Sequence, residues 1–183
     1  YLKYISDNIN RLKVNQQRLI MNQKDIDIMY LREAYKFARH SHDPSTQNGA
    51  IIVSTNKRFD MGPSNLVSVD WNRFPLGVNA TFERLNNREE KYKFIGHAER
   101  GAIFSAAKHG RMTCGKIMYV PWYACDRCGE AIIESGIKEV IGHSGPQQWW
   151  EEDATSDPHA VNWAESIKTA LIMFDESGVR HRI

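Results

Sequence analysis

Cysteine is scarce in this chain, at three of 183 residues, and two of the three sit together as C-x-x-C. That usage excludes a disulfide framework and points to metal or redox chemistry in a reducing compartment, with the cytoplasm as the expected location. Long apolar runs are missing too. None approaches the roughly 20 residues that span a bilayer, so no membrane partner is expected. The opening stretch "YLKYISDNINRLK" lacks the short apolar core and small-residue cleavage site of a secretory signal. Nor is charge of one sign in excess, with 24 Lys+Arg against 22 Asp+Glu and a net charge of +2. Nucleic-acid binding therefore gains no support from bulk charge.

What is present is an ordinary globular composition, 42% hydrophobic and 25% charged, with enough chain for one well-buried core rather than two. Residues 1–25, rich in Asn, Gln and Lys, are expected to form a helical extension, and residues 26–183 a single domain. In "DIDIMYLREAYKFARHS" the residues Ile28, Leu31, Tyr35 and Ala38 recur at helical spacing, and "DPSTQNG" supplies a turn. A strand is predicted at "AIIV" and another between Met61 and Val69. Residues 70–95 form a polar connection too long to be idle. The second half alternates: a helix from about Ala98 to His109 ended by Gly110, a strand "KIMYV", a helix from Asp126 to Ser135 ended by Gly136, and a strand "KEVIGH". A loop with Pro146, Trp149 and Trp150 precedes a final helix through "PHAVNWAESIKTALIMFDESG". This β/α alternation argues for a sheet covered by helices.

Two thiolates do not complete a zinc site. Upstream of Cys125 and Cys128, the best-placed third ligand is His97, at the start of a predicted helix, with Glu99 two residues later in an H-x-E arrangement. Ala102, Ile103 and Ala106 mark that helix's buried stripe, so Glu99 points toward the interior. Cys125 and Cys128 open the next helix, whose N-cap is expected at Asp126. Two helix starts then converge, and their partial positive charge favours the thiolates that zinc requires. Three protein ligands leave a fourth position open, the pattern of catalytic rather than structural zinc. Glu99 is the expected proton shuttle. A C-x-x-C alone also suits a redox pair, and a closed zinc module used only for binding stays open; a fourth protein ligand would mark it.

These residues resemble the zinc-dependent cytidine deaminase superfamily, which carries H-x-E with P-C-x-x-C, and more narrowly its deoxycytidylate (dCMP) deaminase branch. The likeness runs from about Ile26 to Val140, through "SHDPSTQNGAIIV", "NRFPLGV", "HAERGAI" and "SGIKEVI". It implies an α/β, three-layer cytidine deaminase-like fold with a central five-stranded sheet flanked by helices, and a homo-oligomer. It implies one catalytic Zn2+ per chain held by His97, Cys125 and Cys128, with Glu99 catalytic, and hydrolysis of dCMP to dUMP and ammonia. Asn72 falls where the family has an asparagine that contacts the sugar, and nucleoside triphosphate effectors act on some apparent relatives. Two departures stand out. Ala124, not Pro, precedes Cys125, with Pro121 further ahead, and Gly101 stands where the family has Asn.

A nucleotide's phosphate needs cationic or amide partners, and Arg73, beside Asn72, and Asn48, with Ser45 and Thr46, are the candidates carried forward. The loop's Arg84, Arg88, Lys91 and Lys93 read as solvated charges. Tyr123 is expected as a wall for the base, with Trp122 beside it. Alternative substrates are a 5-modified dCMP or a base within RNA or DNA, the last requiring a basic track that the charge balance does not supply.

Overall fold

The structure is a computed structural model and describes residues 21–143 and 163–182. Most of the N-terminal extension, the loop with Pro146, Trp149 and Trp150, and the first residues of the last predicted helix lie outside the described residues. Among the described residues no helix is long and apolar enough to cross a membrane.

Helix α1 (Gln23–Ala38) starts at Asn22, whose side chain accepts the Asp25 N–H at 2.9 Å. It buries Ile26, Tyr30, Ala34 and Ala38. The stripe expected from Ile28, Leu31, Tyr35 and Ala38 is thus corrected by a rotation about the helix axis, with Ile28 and Tyr35 both 37% exposed. Asp27 is responsible in part. It lies buried on the inner face, accepting from the Tyr119 hydroxyl at 2.6 Å and from Arg182 at 2.6 Å, which a hydropathy pattern cannot anticipate. The helix crosses strand β1 (Gly49–Val53) so closely that a Cβ on Gly49 would stand 2.3 Å from the Ala34 carbonyl oxygen.

Every residue of β1 is buried. Ile51 and Val53 face α1, and Ala50 and Ile52 face the opposite layer, as the period of two requires. Strand β2 (Leu66–Trp71) pairs antiparallel with β1 on one side. Helices α2 (Phe82–Asn86) and α3 (Arg88–Phe94) follow, in the segment read from sequence as a polar connection. Neither carries an apolar stripe, and the residue that α3 buries is Lys91, so periodicity had nothing to report.

Helix α4 (Ala98–Lys108), strand β3 (Ile117–Tyr119), helix α5 (Asp126–Glu134) and strand β4 (Glu139–Ile141) follow the predicted alternation. Gly110 and Gly136 stand just beyond the two helices with positive φ. Helix α6 (Trp163–Ser177) leads into a short strand β5 (Arg180–Arg182), whose charged sequence gave no strand signal. The sheet order is β2-β1-β3-β4-β5, antiparallel across β1 and parallel through β3, β4 and β5. The five-stranded, three-layer α/β architecture implied by the resemblance is present. Beneath the sheet's second face Ala98, Ala102, Cys128, Ile132 and Phe174 pack from α4, α5 and α6 onto Ala50, Ile52 and Met118. The small residues of α4 let its N-terminal end, and that of α5, approach one another at the edge of this layer.

Candidate active site

His97 is the residue at which α4 begins, and Cys125 the residue at which α5 begins. The expectation of Asp126 as N-cap is corrected by one position: Cys125 has the extended cap conformation and Asp126 is the first helical residue. The shift matters, because it puts both a histidine and a cysteine at helix starts. His97 Nδ1 lies 3.4 Å from Cys125 Sγ and 3.5 Å from Cys128 Sγ. The ligand atoms of the three residues all fall within 4.8 Å of one another, a spacing a single metal ion can bridge. Cys114 is exposed and is not part of this group.

The electrostatics suit a cation. A hydrogen bond from Cys128, aided by His97, holds the Cys125 thiol well below its ordinary range, at about 4, while the same partnership and burial push Cys128 up. Burial works against protonated His97, yet the bond to Cys125 and the charge of Glu99 together raise it. The trio therefore shares protons that an incoming metal would displace.

Glu99 is 2% exposed, and its Oε2 has no hydrogen-bond partner among the described residues. Burial pushes its carboxyl up to about 7, against the pull of His97. A carboxyl group deep in a protein without a partner is costly unless something else uses it. The orphaned oxygen beside a two-thiol, one-imidazole donor set fits a metal centre with a neighbouring acid-base group.

His97, Glu99 and Cys125 line a cavity, with Cys128 fully buried beside them. Asn48, Asn72 and Tyr123, three of the residues proposed from sequence to contact substrate, line it. Asn72 is held at both ends of its amide, donating to the Thr46 carbonyl at 3.0 Å and accepting the Ala98 N–H at 2.9 Å. Asn48 uses Oδ1 to accept the N–H groups of Gly49 and Trp122. Tyr123 is buried and its hydroxyl has no partner among the described residues, and burial pushes its ionisation up. Arg73 is elsewhere. Its guanidinium forks onto Asp70 with two contacts of 2.7 Å, and it is not among the residues that line the cavity. Gly101 makes room for that pair, since a Cβ there would stand 2.7 Å from Asp70 Oδ2. The position where the family has Asn is thus filled from β2.

Sequence reasoning missed several walls. Trp163 and Ile167 of α6 line the cavity, the Trp163 ring centroid lying 5.6 Å from that of His97. Both fall in the stretch read from sequence only as a final helix. Tyr92 and Asp43 were missed as well. Asp43 bonds Lys91 Nζ at 2.8 Å in a pair whose side chains are 2% and 4% exposed, so Lys91 is buried rather than solvated. Burial opposes ionised Asp43, but Lys91 and the backbone N–H groups of Ser45 and Thr46 together hold its carboxyl below the usual range.

The family profile described as "Cytidine and deoxycytidylate deaminase zinc-binding region" matches residues 24–144. The chain belongs to this family. Among curated members, deoxycytidylate deaminase of Mus musculus is 34% identical over 119 residues, which are 61% of this chain and 61% of that protein. Deoxycytidylate deaminase of Pongo abelii is 30% identical over 158 residues, 84% of this chain and 76% of that protein. This deaminase-family chain also shares its fold with a crystal structure of dCMP deaminase from the cyanophage S-TIM5 in complex with dCMP and dUMP. That likeness has a TM-score of 0.59 at 19% identity and covers 87% of this chain and 97% of that one.

Proposed function

We propose that the protein is a zinc-dependent hydrolytic deaminase of a free pyrimidine nucleotide, with dCMP converted to dUMP and ammonia as the reaction it fits best. The observation that carries this reading is the buried, unpartnered Glu99 carboxyl oxygen beside the His97, Cys125 and Cys128 donors, at a cavity lined by His97, Glu99 and Cys125. The names of the relatives and the ligands of the cyanophage enzyme support the choice of substrate.

His97, Cys125 and Cys128 would hold the metal. Zinc, when bound, supplies the Lewis acidity that makes water nucleophilic near neutral pH. Glu99 then accepts a proton from the attacking water and delivers it to ring N3 as C4 becomes tetrahedral; it takes a second proton from the new C4 hydroxyl and gives it to the amine, which leaves as ammonia while C4 becomes a carbonyl. Such a group works best with an affinity near the operating pH, which is where burial puts Glu99. Trp163, Tyr123 and Ile167 wall the cavity with apolar surface that excludes water around the base. Asn48 retains its amide NH2, and Asn72 holds the sugar side of the cavity. Arg73 serves the phosphate only by exchanging Asp70 for it. Homo-oligomer assembly and nucleoside triphosphate regulation belong to the same reading.

The deciding experiment measures ammonia release from cytidine, CMP, dCMP, 5-substituted dCMP, guanine and short oligonucleotides, with metal content determined on the same preparation. It is run with and without nucleoside triphosphates, and light scattering reports the assembly. Preference for dCMP is expected. Preference for an oligonucleotide, or no release from any cytosine compound by zinc-loaded protein, overturns the proposal.

A further inference from the structure

Helices α1, α2 and α3 begin in the common way. Asn22, Thr81 and Asn87 each accept the N–H three residues on, from Asp25, Arg84 and Glu90, at 2.9, 3.3 and 3.1 Å. Helices α4 and α5 do not. Their N-cap residues are His97 and Cys125, and neither side chain makes the ordinary cap bond; the two are turned toward one another. A helix start leaves N–H groups without partners, and buried ones must be satisfied from somewhere.

They are satisfied from other elements. Asn72, just after β2, accepts the Ala98 N–H through Oδ1 at 2.9 Å and is itself tied to Thr46. Ser166, in the first turn of α6, accepts the Asp126 N–H at 3.0 Å and donates its hydroxyl to Asp126 Oδ1 at 3.0 Å. Each borrowed bond lands on the residue immediately after a candidate ligand. A ligand at an N-cap gains convergence and the helix dipole but gives up its own capping bond.

We infer that Asn72 and Ser166 are positioning residues that cap the two ligand-bearing helices from outside, so that His97 and Cys125 are free to face a metal. The inference rests on the zinc reading of the site. By holding the peptide next to each ligand, the two caps fix the direction from which the ligand approaches. Groups that orient ligands in this way account for roughly 10- to 100-fold in metal affinity. Ser166 separates this role from substrate contact, since it does not line the cavity, whereas Asn72 does.

The test is zinc affinity by competition with a chromophoric chelator, together with thermal melting of zinc-loaded and zinc-free protein. Ser166→Ala should lose about tenfold in zinc affinity, although alanine is the better helix former. Ser166→Thr, which keeps the hydroxyl, should restore most of it. Asn72→Asp keeps the acceptor and should hold zinc more tightly than Asn72→Ala, and this pair decides if Ser166→Ala is not recovered folded. The melting point should fall more in the zinc-loaded variant than in the zinc-free one. Parent-like zinc affinity in Ser166→Ala, or an equal melting loss with and without zinc, overturns the inference and leaves the site reading standing. A parent protein that binds no zinc removes both.

Discussion

The cavity's candidate metal end and the ion pairs packed around it treat polar groups in opposite ways. At the first, Glu99 Oε2 has no partner among the described residues, and the His97 imidazole faces the two thiols at 3.4 and 3.5 Å. Around it, Asp43, which lines the cavity, is bonded by Lys91, Ser45 and Thr46, and Asp70, outside the lining, by the fork of Arg73. Both regions are buried and charged. On the proposed function, the difference teaches what each is for: unpaired polarity is kept where protons and a metal would come and go, and paired polarity where shape must hold.

The sharpest way to break that contrast is Glu99→Gln. Deamination should fall about 10²- to 10⁴-fold, while zinc content, read by metal analysis, stays at the parent level and the melting point does not drop. A variant with full rate and bound zinc would remove Glu99 from the chemistry. Asp43→Asn should do the reverse, costing stability because Lys91 is left buried without its counter-charge, by roughly 3–5 kcal/mol in urea denaturation. Adding Lys91→Met should recover much of that loss.

The same pair governs acid behaviour. Because the Asp43 carboxyl is lowered from 3.8 in the fold, its contribution is complete above that value and is lost as pH falls through the lower, folded one. Acid unfolding of Asp43→Asn should therefore have a shallower dependence on pH below about 4. Gly101→Ala drives a Cβ into the Asp70 carboxylate and should cost about 1–3 kcal/mol, with positive coupling to Asp70→Ala in a double-mutant cycle. The smallest effect is Thr81→Ala. It removes an ordinary self-cap, should cost about 1 kcal/mol or less, and should leave zinc affinity at the parent value; a change in zinc affinity there would blur the line between the two kinds of helix start.

Much of this was legible in the chain. The β/α alternation of the second half, the glycines closing α4 and α5, and the pairing of H-x-E with C-x-x-C all depend on local spacing, and local spacing is what a sequence displays. A sheet covered by helices followed from the alternation, and the five strands followed only from the family resemblance that those residues carry. What was not legible depends on partners distant in sequence. The rotation of α1 reflects Asp27 meeting Tyr119 and Arg182. Lys91 looked like any loop lysine until Asp43 was beside it, and nothing set Trp163 apart within the final helix until its ring lay beside His97. Arg73 was legible as a nearby cation, while its commitment to Asp70 was not.

The three candidate ligands occupy one continuous stretch, 97 to 128, whereas the wall over them comes from Trp163 and Ile167, and a cap for one of them from Ser166. In a chain made from its N-terminus, the ligands emerge before their cover does. On the zinc reading, the site would be open to loading until α6 is made. Zinc exchange in nascent chains halted before Trp163 should be faster than in the released protein, and equal rates would show that the cover does not guard the metal.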